Sequence, residues 1–376
     1  MFANEIDGDV KSLPAGASVD VASPEGAFLG RGYSNPRALI AVRIVSWNKA
    51  QNIDLPGFFA ARIRQAVELR EMLWPGRTAC RIVDGDADGL PGLVIDRYGD
   101  LVVAQFETLG MQERSDVIRT ALQDVLPATA GLLRNDLWAR RREGLEEEIV
   151  PWFGDVPEVV NIDEFGVAFG VRPAEGEVTG HLFAHSENRR LFGGLCRDRT
   201  VLDVYSGSGG FGLHALLGGA RHVTFVDKAK ARCEQIDGNV ALNGFDADRV
   251  TIVKGEGRRT MMALLPQGRR YGCVVIDPPP FARVKKNASA GMRGYREVNS
   301  MAMQLVSPGG YFVTGTHSQF ALEERFLSDI QLAAHTAGLH VKMIYRGQQS
   351  ADHPVLPGVP EARLLKHYVF HVLPEA

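Results

Sequence analysis

The run Asp277-Pro278-Pro279-Pro280-Phe281 puts a carboxylate, a rigid turn and an aromatic ring side by side. Proline fixes φ, so a carboxylate just ahead of it keeps one direction, and the ring beyond can stack on a planar substrate. Those residue types suit group transfer to a base, with Asp277, Pro278 and Phe281 as the candidate catalytic residues. His185 and His317 are candidates for polar contacts to the same substrate.

A second stretch, Val201-Leu202-Asp203-Val204-Tyr205-Ser206-Gly207-Ser208-Gly209-Gly210-Phe211-Gly212, reads as a buried strand, a glycine turn and a helix. Such turns let a backbone approach a nucleotide closely. Asp203 repels an anion and attracts a ligand with an ammonium and a sulfonium, whereas a dinucleotide site needs glycines spaced for a pyrophosphate and no such carboxylate. Asp227, ending the next strand, can accept both ribose hydroxyls, and Glu256 is placed to approach the adenine amino group. S-adenosylmethionine is therefore the expected cofactor.

The elements that must carry these residues alternate. Strands are expected at 200–204, 223–227, 250–253, 274–277 and 311–314, with helices at 210–217, 229–242, 297–306 and 322–337. Alternation argues for an α/β fold, a Rossmann-like, mostly parallel sheet with helices on both faces. Two final strands, 340–345 and 366–372, have no helix between them and should pair antiparallel at one side of a seven-stranded sheet. Ahead of this lie short β segments at 18–21 and 39–45. Next come a helix at 58–73, strands at 81–83, 93–96 and 102–106, and a helix at 114–125. The expected domains are a small β module over 1–52, an α+β middle domain over 53–165 and the Rossmann-like domain over 166–376.

With 376 residues, 45% hydrophobic and 23% charged, the chain has the composition of a globular protein of more than one domain. It contains neither an apolar run of membrane-spanning length nor a signal-peptide pattern at its start, so a cytoplasmic location without membrane contact is expected. The four cysteines, Cys80, Cys196, Cys233 and Cys273, form no CxxC pair, and no metal is expected. A net charge of -3 leaves nucleic-acid contact to local patches. The candidates are Lys285, Lys286 and Arg293, with Arg283 and Arg296 beside them, and Arg140, Arg141 and Arg142 in the middle domain.

Together these motifs resemble the bacterial large-subunit (23S) ribosomal RNA methyltransferases that join an N-terminal PUA module and a central domain to a Rossmann-like methyltransferase domain. The resemblance is carried by Phe2-Ala3-Asn4-Glu5-Ile6, Phe28-Leu29-Gly30-Arg31-Gly32 with Asn35-Pro36, and the run Asp88-Gly89-Leu90-Pro91-Gly92-Leu93-Val94-Ile95-Asp96-Arg97-Tyr98. The two stretches above, Gly294-Tyr295, Gly347-Gln348 and Asp352-His353-Pro354-Val355-Leu356 complete it. It implies methylation of ribosomal RNA, free or in an assembling large subunit, by an enzyme for which a homodimer is one open assembly. The cofactor contacts it implies are Asp203, Tyr205, Ser206, Gly207, Gly209, Phe211, Asp227, Lys228, Glu256, Asp277 and Arg189. Tyr295 joins the RNA-contact candidates.

Three departures stand out. The chain starts inside the PUA pattern, so that module is expected to be short. Ala184-His185 precedes Asn188-Arg189 where the family usually has Asp-Gln. Thr316 aligns with the cysteine that cytosine-C5 members carry, and Pro280 occupies the place where another RNA family puts its cysteine. Cytosine C5 becomes nucleophilic only after a thiolate adds to the ring, and threonine cannot supply one at neutral pH. A ring nitrogen such as guanine N7 attacks the methyl sulfonium directly, so a base nitrogen is the favoured target. Cytosine C5, a small-molecule acceptor and non-catalytic RNA binding are the alternatives.

Overall fold

The computed structural model describes residues 1–282, 284–359 and 362–373. Two compact units emerge: one of Met1–Ile162, Val171–Phe183 and Ala351–Leu356, the other of Asp163–Gly170, Ala184–Ser350 and Pro357–Ala376.

The first unit opens with an antiparallel sheet of β1 (Ser18–Ala22), β2 (Phe28–Ser34) and β3 (Val42–Ser46). β2 was legible only as a motif, because its glycines look like turns. Gly32 is required by close approach: a Cβ there would overlap the Arg43 carbonyl of β3. The expected strand at 39–45 shifts to β3, leaving Leu39 exposed. Helix α1 (Pro56–Leu73) starts with proline in its first turn, where a missing N–H costs nothing, and stops before Pro75-Gly76.

It is followed by β4 (Ala79–Asp84), β5 (Leu93–Tyr98), β6 (Leu101–Phe106), α2 (Leu109–Gln112), α3 (Ser115–Val125), β7 (Ala130–Arg134), α4 (Arg140–Glu143) and β8 (Ile149–Phe153). The five strands form one sheet in chain order, antiparallel except for β6 beside β7. Phe59 and Ile63 of α1 and Ile118 and Leu122 of α3 share a core with Tyr33 and Val45 of the first sheet. A ribbon of β9 (Val160–Glu164) and β10 (Val167–Val171) follows.

The second unit runs α5 (Ser186–Gly194), β11 (Thr200–Val204), α6 (Gly210–Leu217), β12 (His222–Asp227), α7 (Lys230–Leu242), β13 (Val250–Lys254), α8 (Gly257–Leu264), β14 (Tyr271–Ile276), α9 (Ala288–Gln304), β15 (Val306–Thr316), α10 (Glu323–Thr336), β16 (Val341–Gly347) and β17 (Lys366–Val372). Its seven strands lie in the order β13-β12-β11-β14-β15-β17-β16. The first five are parallel, and β17 pairs antiparallel with both β15 and β16. Residues Val201 to Val204 are all buried, as a central parallel strand covered on both faces requires. Strand order reverses around β11, between β12 and β14, and that switch point opens a crevice at the carboxyl ends of the strands. Both functional stretches end there.

Candidate active site

The loop leaving β11 is held by its own residues. Tyr205 takes a left-handed φ of 65°, rare for a residue with a Cβ, and Gly207 and Gly209 follow at 57° and 86°. Ser206 braces this loop from within. Its hydroxyl donates to Asp203 O at 2.7 Å and accepts from Val226 N at 3.0 Å, tying β11 to β12. A Cβ at Gly212 would overlap the Phe225 ring, so α6 can start this close to the sheet only with glycine there.

Asp203 is buried, and its Oδ2 accepts the Gly212 N–H at 2.9 Å. Burial, with the nearby charge of Asp277, lifts its pKa to about 7 although the Gly212 bond opposes the rise. A carboxylate in that state gains from a cation, so the ammonium of S-adenosylmethionine fits it. Half-buried Asp227 ends β12; its oxygens accept Gly207 N at 3.0 Å and Ala229 N at 2.9 Å, fixing the loop while leaving lone pairs for a diol. Lys228 is exposed beside it.

Three more expected cofactor contacts are otherwise engaged. Arg189 forms a buried ion pair with Glu164 at 3.1 Å, and His214 meets the same carboxylate at 3.2 Å. A Cβ at Gly210 would overlap the Arg189 guanidinium, so Arg189 supports the start of α6 from behind. Phe211 is buried, stacked on His367 with centroids 5.6 Å apart and edge-on to His185 at 5.2 Å. Glu256 caps α8, accepting Arg258 N at 3.2 Å and Arg259 N at 2.9 Å.

At the end of β14 the Asp277 amide donates to Val204 O at 3.3 Å, which fixes this carboxylate beside the glycine loop. Two histidines converge on it. His185 Nε2 lies 3.2 Å from Asp277 Oδ2 and 3.0 Å from His317 Nε2, and His317 Nε2 lies 3.7 Å from Asp277 Oδ1. Burial would raise the Asp277 carboxyl, but the two imidazoles outweigh it and hold the group well below the usual carboxylate range. Burial keeps His185 below the ordinary histidine value, against the pull of Asp277, so it is neutral at neutral pH. Burial first, then the neighbouring His185, pushes His367 down to about 3.

The tautomer of His185 follows from its other nitrogen. Asn188 Nδ2 donates to Gln348 O at 2.9 Å and faces His185 Nδ1 at 3.3 Å, so Nδ1 is the acceptor and Nε2 carries the proton. His185, Asp277 and His317 bring one ligand-type atom each within 4.8 Å, a separation a metal ion could bridge. With its proton on Nε2, His185 instead acts as a hydrogen-bond donor toward the other two.

Pro278 is buried, and half-buried Phe281 packs on Tyr295 at 4.8 Å. Tyr295 is fully buried, which removes it from the RNA-contact candidates. Its hydroxyl accepts from Phe281 N at 3.3 Å and from Thr316 Oγ1 at 2.7 Å, so it props the Pro-Phe turn from beneath. Thr316, where the resemblance aligns a cysteine, is buried and committed to this bond.

Lys285, Lys286 and Arg293 are exposed at the start of the α9 segment; Arg283 lies outside the described residues. Arg140 is buried, with its guanidinium on Phe106 O, Gln112 Oε1 and Glu146 O, so it holds the turn before β8 and offers nothing to RNA. Arg141 is exposed and paired with Glu147 at 2.6 Å. Asn188 and Gln348 stood in the sequence only within the fragments Asn188-Arg189 and Gly347-Gln348, with no role assigned, and His367 went unnoticed.

Comparison with known proteins agrees with this architecture. The family described as a PUA-like domain matches residues 1–47, and that described as conserved hypothetical protein 95 matches residues 165–307. The chain is 33% identical over 375 residues to ribosomal RNA large subunit methyltransferase I of Pseudoalteromonas atlantica, covering 99% of this chain and 95% of that protein. It is 33% identical over 362 residues to the protein of that name from Klebsiella pneumoniae, covering 96% and 90%. Among solved structures, a protein described as a SAM-dependent methyltransferase from Streptococcus mutans superposes with a TM-score of 0.80 at 21% identity, covering 96% of this chain and 92% of that one. A methyltransferase complexed with SAH reaches 0.83 at 21% identity, covering 98% and 93%. The chain is an S-adenosylmethionine-dependent methyltransferase and belongs to the ribosomal RNA large subunit methyltransferase I family.

Proposed function

We propose that this enzyme methylates a nitrogen of a base in large-subunit ribosomal RNA, free or in an assembling subunit, in the cytoplasm. The observation that carries the nitrogen assignment is Thr316, a hydroxyl spent on Tyr295 where carbon-5 chemistry needs a thiolate. When bound, S-adenosylmethionine supplies an electrophilic methyl group. Asp203, Asp227 and the 205–209 loop would hold it, the buried carboxylate toward the ammonium and Asp227 toward the ribose. Asp277, fixed by Val204 and the two imidazoles, orients the base at the same end of the sheet, and Phe281 offers a ring edge beside it. The enzyme's part is positioning and charge placement, which suits a nucleophile that needs no covalent activation.

The RNA assignment rests on the relatives' names, the PUA-like module and the exposed Lys285, Lys286 and Arg293. Among the described residues no helix is long and apolar enough to cross a membrane. The test is transfer of labelled methyl groups to large-subunit ribosomal RNA and to immature large subunits. Label in RNA supports the reading. Label found only in small molecules of a cell extract would overturn it.

A further inference from the structure

The turns that enter the parallel strands of the second unit carry arginines, at the end of the sheet opposite the crevice. Arg197 and Arg199 precede β11, Arg221 precedes β12, and Arg269 and Arg270 precede β14. These strands are neighbours in the order β12-β11-β14, and neighbouring strands lie about 4.8 Å apart, so the arginines start from one short rim. Backbone bonds lock two of the turns side by side: Arg221 N donates to Arg199 O at 2.8 Å, and Asp198 N donates to Gly219 O at 2.9 Å. On the other side, a Cβ at Gly272 of β14 would come within 2.9 Å of Arg199 Cβ.

Arg197, Arg221, Arg269 and Arg270 are exposed, and none of them forms an ion pair among the described residues. Arg199 is half-buried, with its guanidinium on Gly309 O at 3.2 Å and over the Tyr311 ring at 4.9 Å, so its charge is not neutralised either. Asp198 is the carboxylate in these three turns. Asp246 and Asp248 lie in the next turn, before β13, where Arg249 is held by Leu216 O and Ala220 O. Like charges gathered this way present an attractive field to a polyanion. Tyr271 is buried and Phe245 and Tyr311 are half-buried, so unpaired bases find no exposed ring to stack on at these turns. Arginine forks fit phosphate oxygens, which a double helix offers in rows.

We propose that this rim is a second RNA contact, which seats the phosphate backbone of a double-helical segment. β11 is five residues long, so the rim lies about 16 Å from the crevice and takes a segment separate from the methylated base. It gives the enzyme a hold on folded RNA that a short single-stranded fragment lacks. The choice of RNA as the polyanion rests on the RNA reading above; the atom that accepts the methyl group plays no part in it.

The test uses the full chain carrying Arg197→Glu, Arg221→Glu, Arg269→Glu and Arg270→Glu together, and a second variant with lysine at the same four positions. Fluorescence anisotropy measures binding to an RNA duplex of about 20 base pairs and to oligouridylate of the same length. The glutamate variant should lose at least about tenfold in duplex affinity, with the log–log salt slope falling by about 0.9 for each duplex phosphate no longer neutralised. Its loss on oligouridylate should be smaller, and the lysine variant should keep most of the duplex affinity, since the charge remains. Unchanged S-adenosylmethionine affinity shows that the fold is intact. Duplex affinity and salt slope left unchanged by glutamate would overturn the inference, as would equal losses on the two RNAs. A changed oligomeric state in sedimentation, with duplex binding intact, would give the rim to a second copy of the chain instead. Failure of the unaltered protein to bind either RNA would remove the RNA reading as well.

Discussion

Asp203 accepts the backbone N–H of Gly212 at 2.9 Å, and through that bond the last turn of β11 holds the first turn of α6. The bond lowers the carboxyl's pKa less than burial raises it, and the group titrates at about 7. In the cofactor-free protein its folded pKa is above the ordinary value of 3.8, so the stability it contributes is present below pH 4 and fades as pH rises through 7. A cationic ligand needs the ionised form, so binding below pH 7 should expel a proton. Calorimetry of S-adenosylmethionine binding at pH 6 in buffers of different ionisation enthalpy should show release approaching one proton. Buffer-independent heats would contradict this.

D203N keeps an oxygen for Gly212 N–H and removes the buried charge. The variant should melt no lower than the wild type without ligand, and its cofactor affinity should fall at least about tenfold, as for loss of one charge-assisted bond of about 1.5–3 kcal/mol. Thermal shift with and without S-adenosylmethionine separates the two effects. Retained affinity would mean the ammonium is held elsewhere.

Ser206 and Arg140 were both expected at ligand surfaces and both turned out to brace the fold. S206A leaves Val226 N without its acceptor and should cost about 1–3 kcal/mol in urea unfolding. R140A abandons three acceptors, the buried Phe106 O among them, and should cost more than R141A, whose surface pair with Glu147 is worth about 0–1 kcal/mol. Equal effects for the two arginines would contradict the assignment.

Replacing Lys285, Lys286 and Arg293 together by glutamate should weaken RNA binding and flatten its salt dependence, by about 0.7 in the log–log slope for each single-strand phosphate that is no longer neutralised. Cofactor affinity should stay put. An unchanged salt slope would place the RNA elsewhere.

The sheet of the second unit was the most legible part of the chain, because buried parallel strands are short apolar runs bounded by turns; 200–204 and 366–372 came out at their observed limits. Helices with glycine were harder. α9 begins at Ala288 rather than 297, since Gly291 and Gly294 read as loop residues, yet they are the small residues that let the helix lie on Ala282 and the Phe281 ring. α8 is short and was hidden behind its cap, Glu256. The cofactor loop was legible because its chemistry lies in one segment. The cluster of His185, Asp277 and His317 was not, since its members meet only through the order of the strands, and which nitrogen of His185 holds the proton depends on Asn188 and Gln348.

The central claim is that no protein nucleophile adds to the base, because Thr316 stands in the cysteine's place with its hydroxyl bound to Tyr295. The direct measurement uses large-subunit ribosomal RNA made with 5-fluorocytidine, incubated with the enzyme and S-adenosylmethionine and resolved on a denaturing gel. Fluorine at carbon 5 blocks the elimination that frees an enzyme bound covalently to the ring. No covalent complex, with methyl label still entering the RNA, is the expected result; a stable protein–RNA adduct would contradict the account.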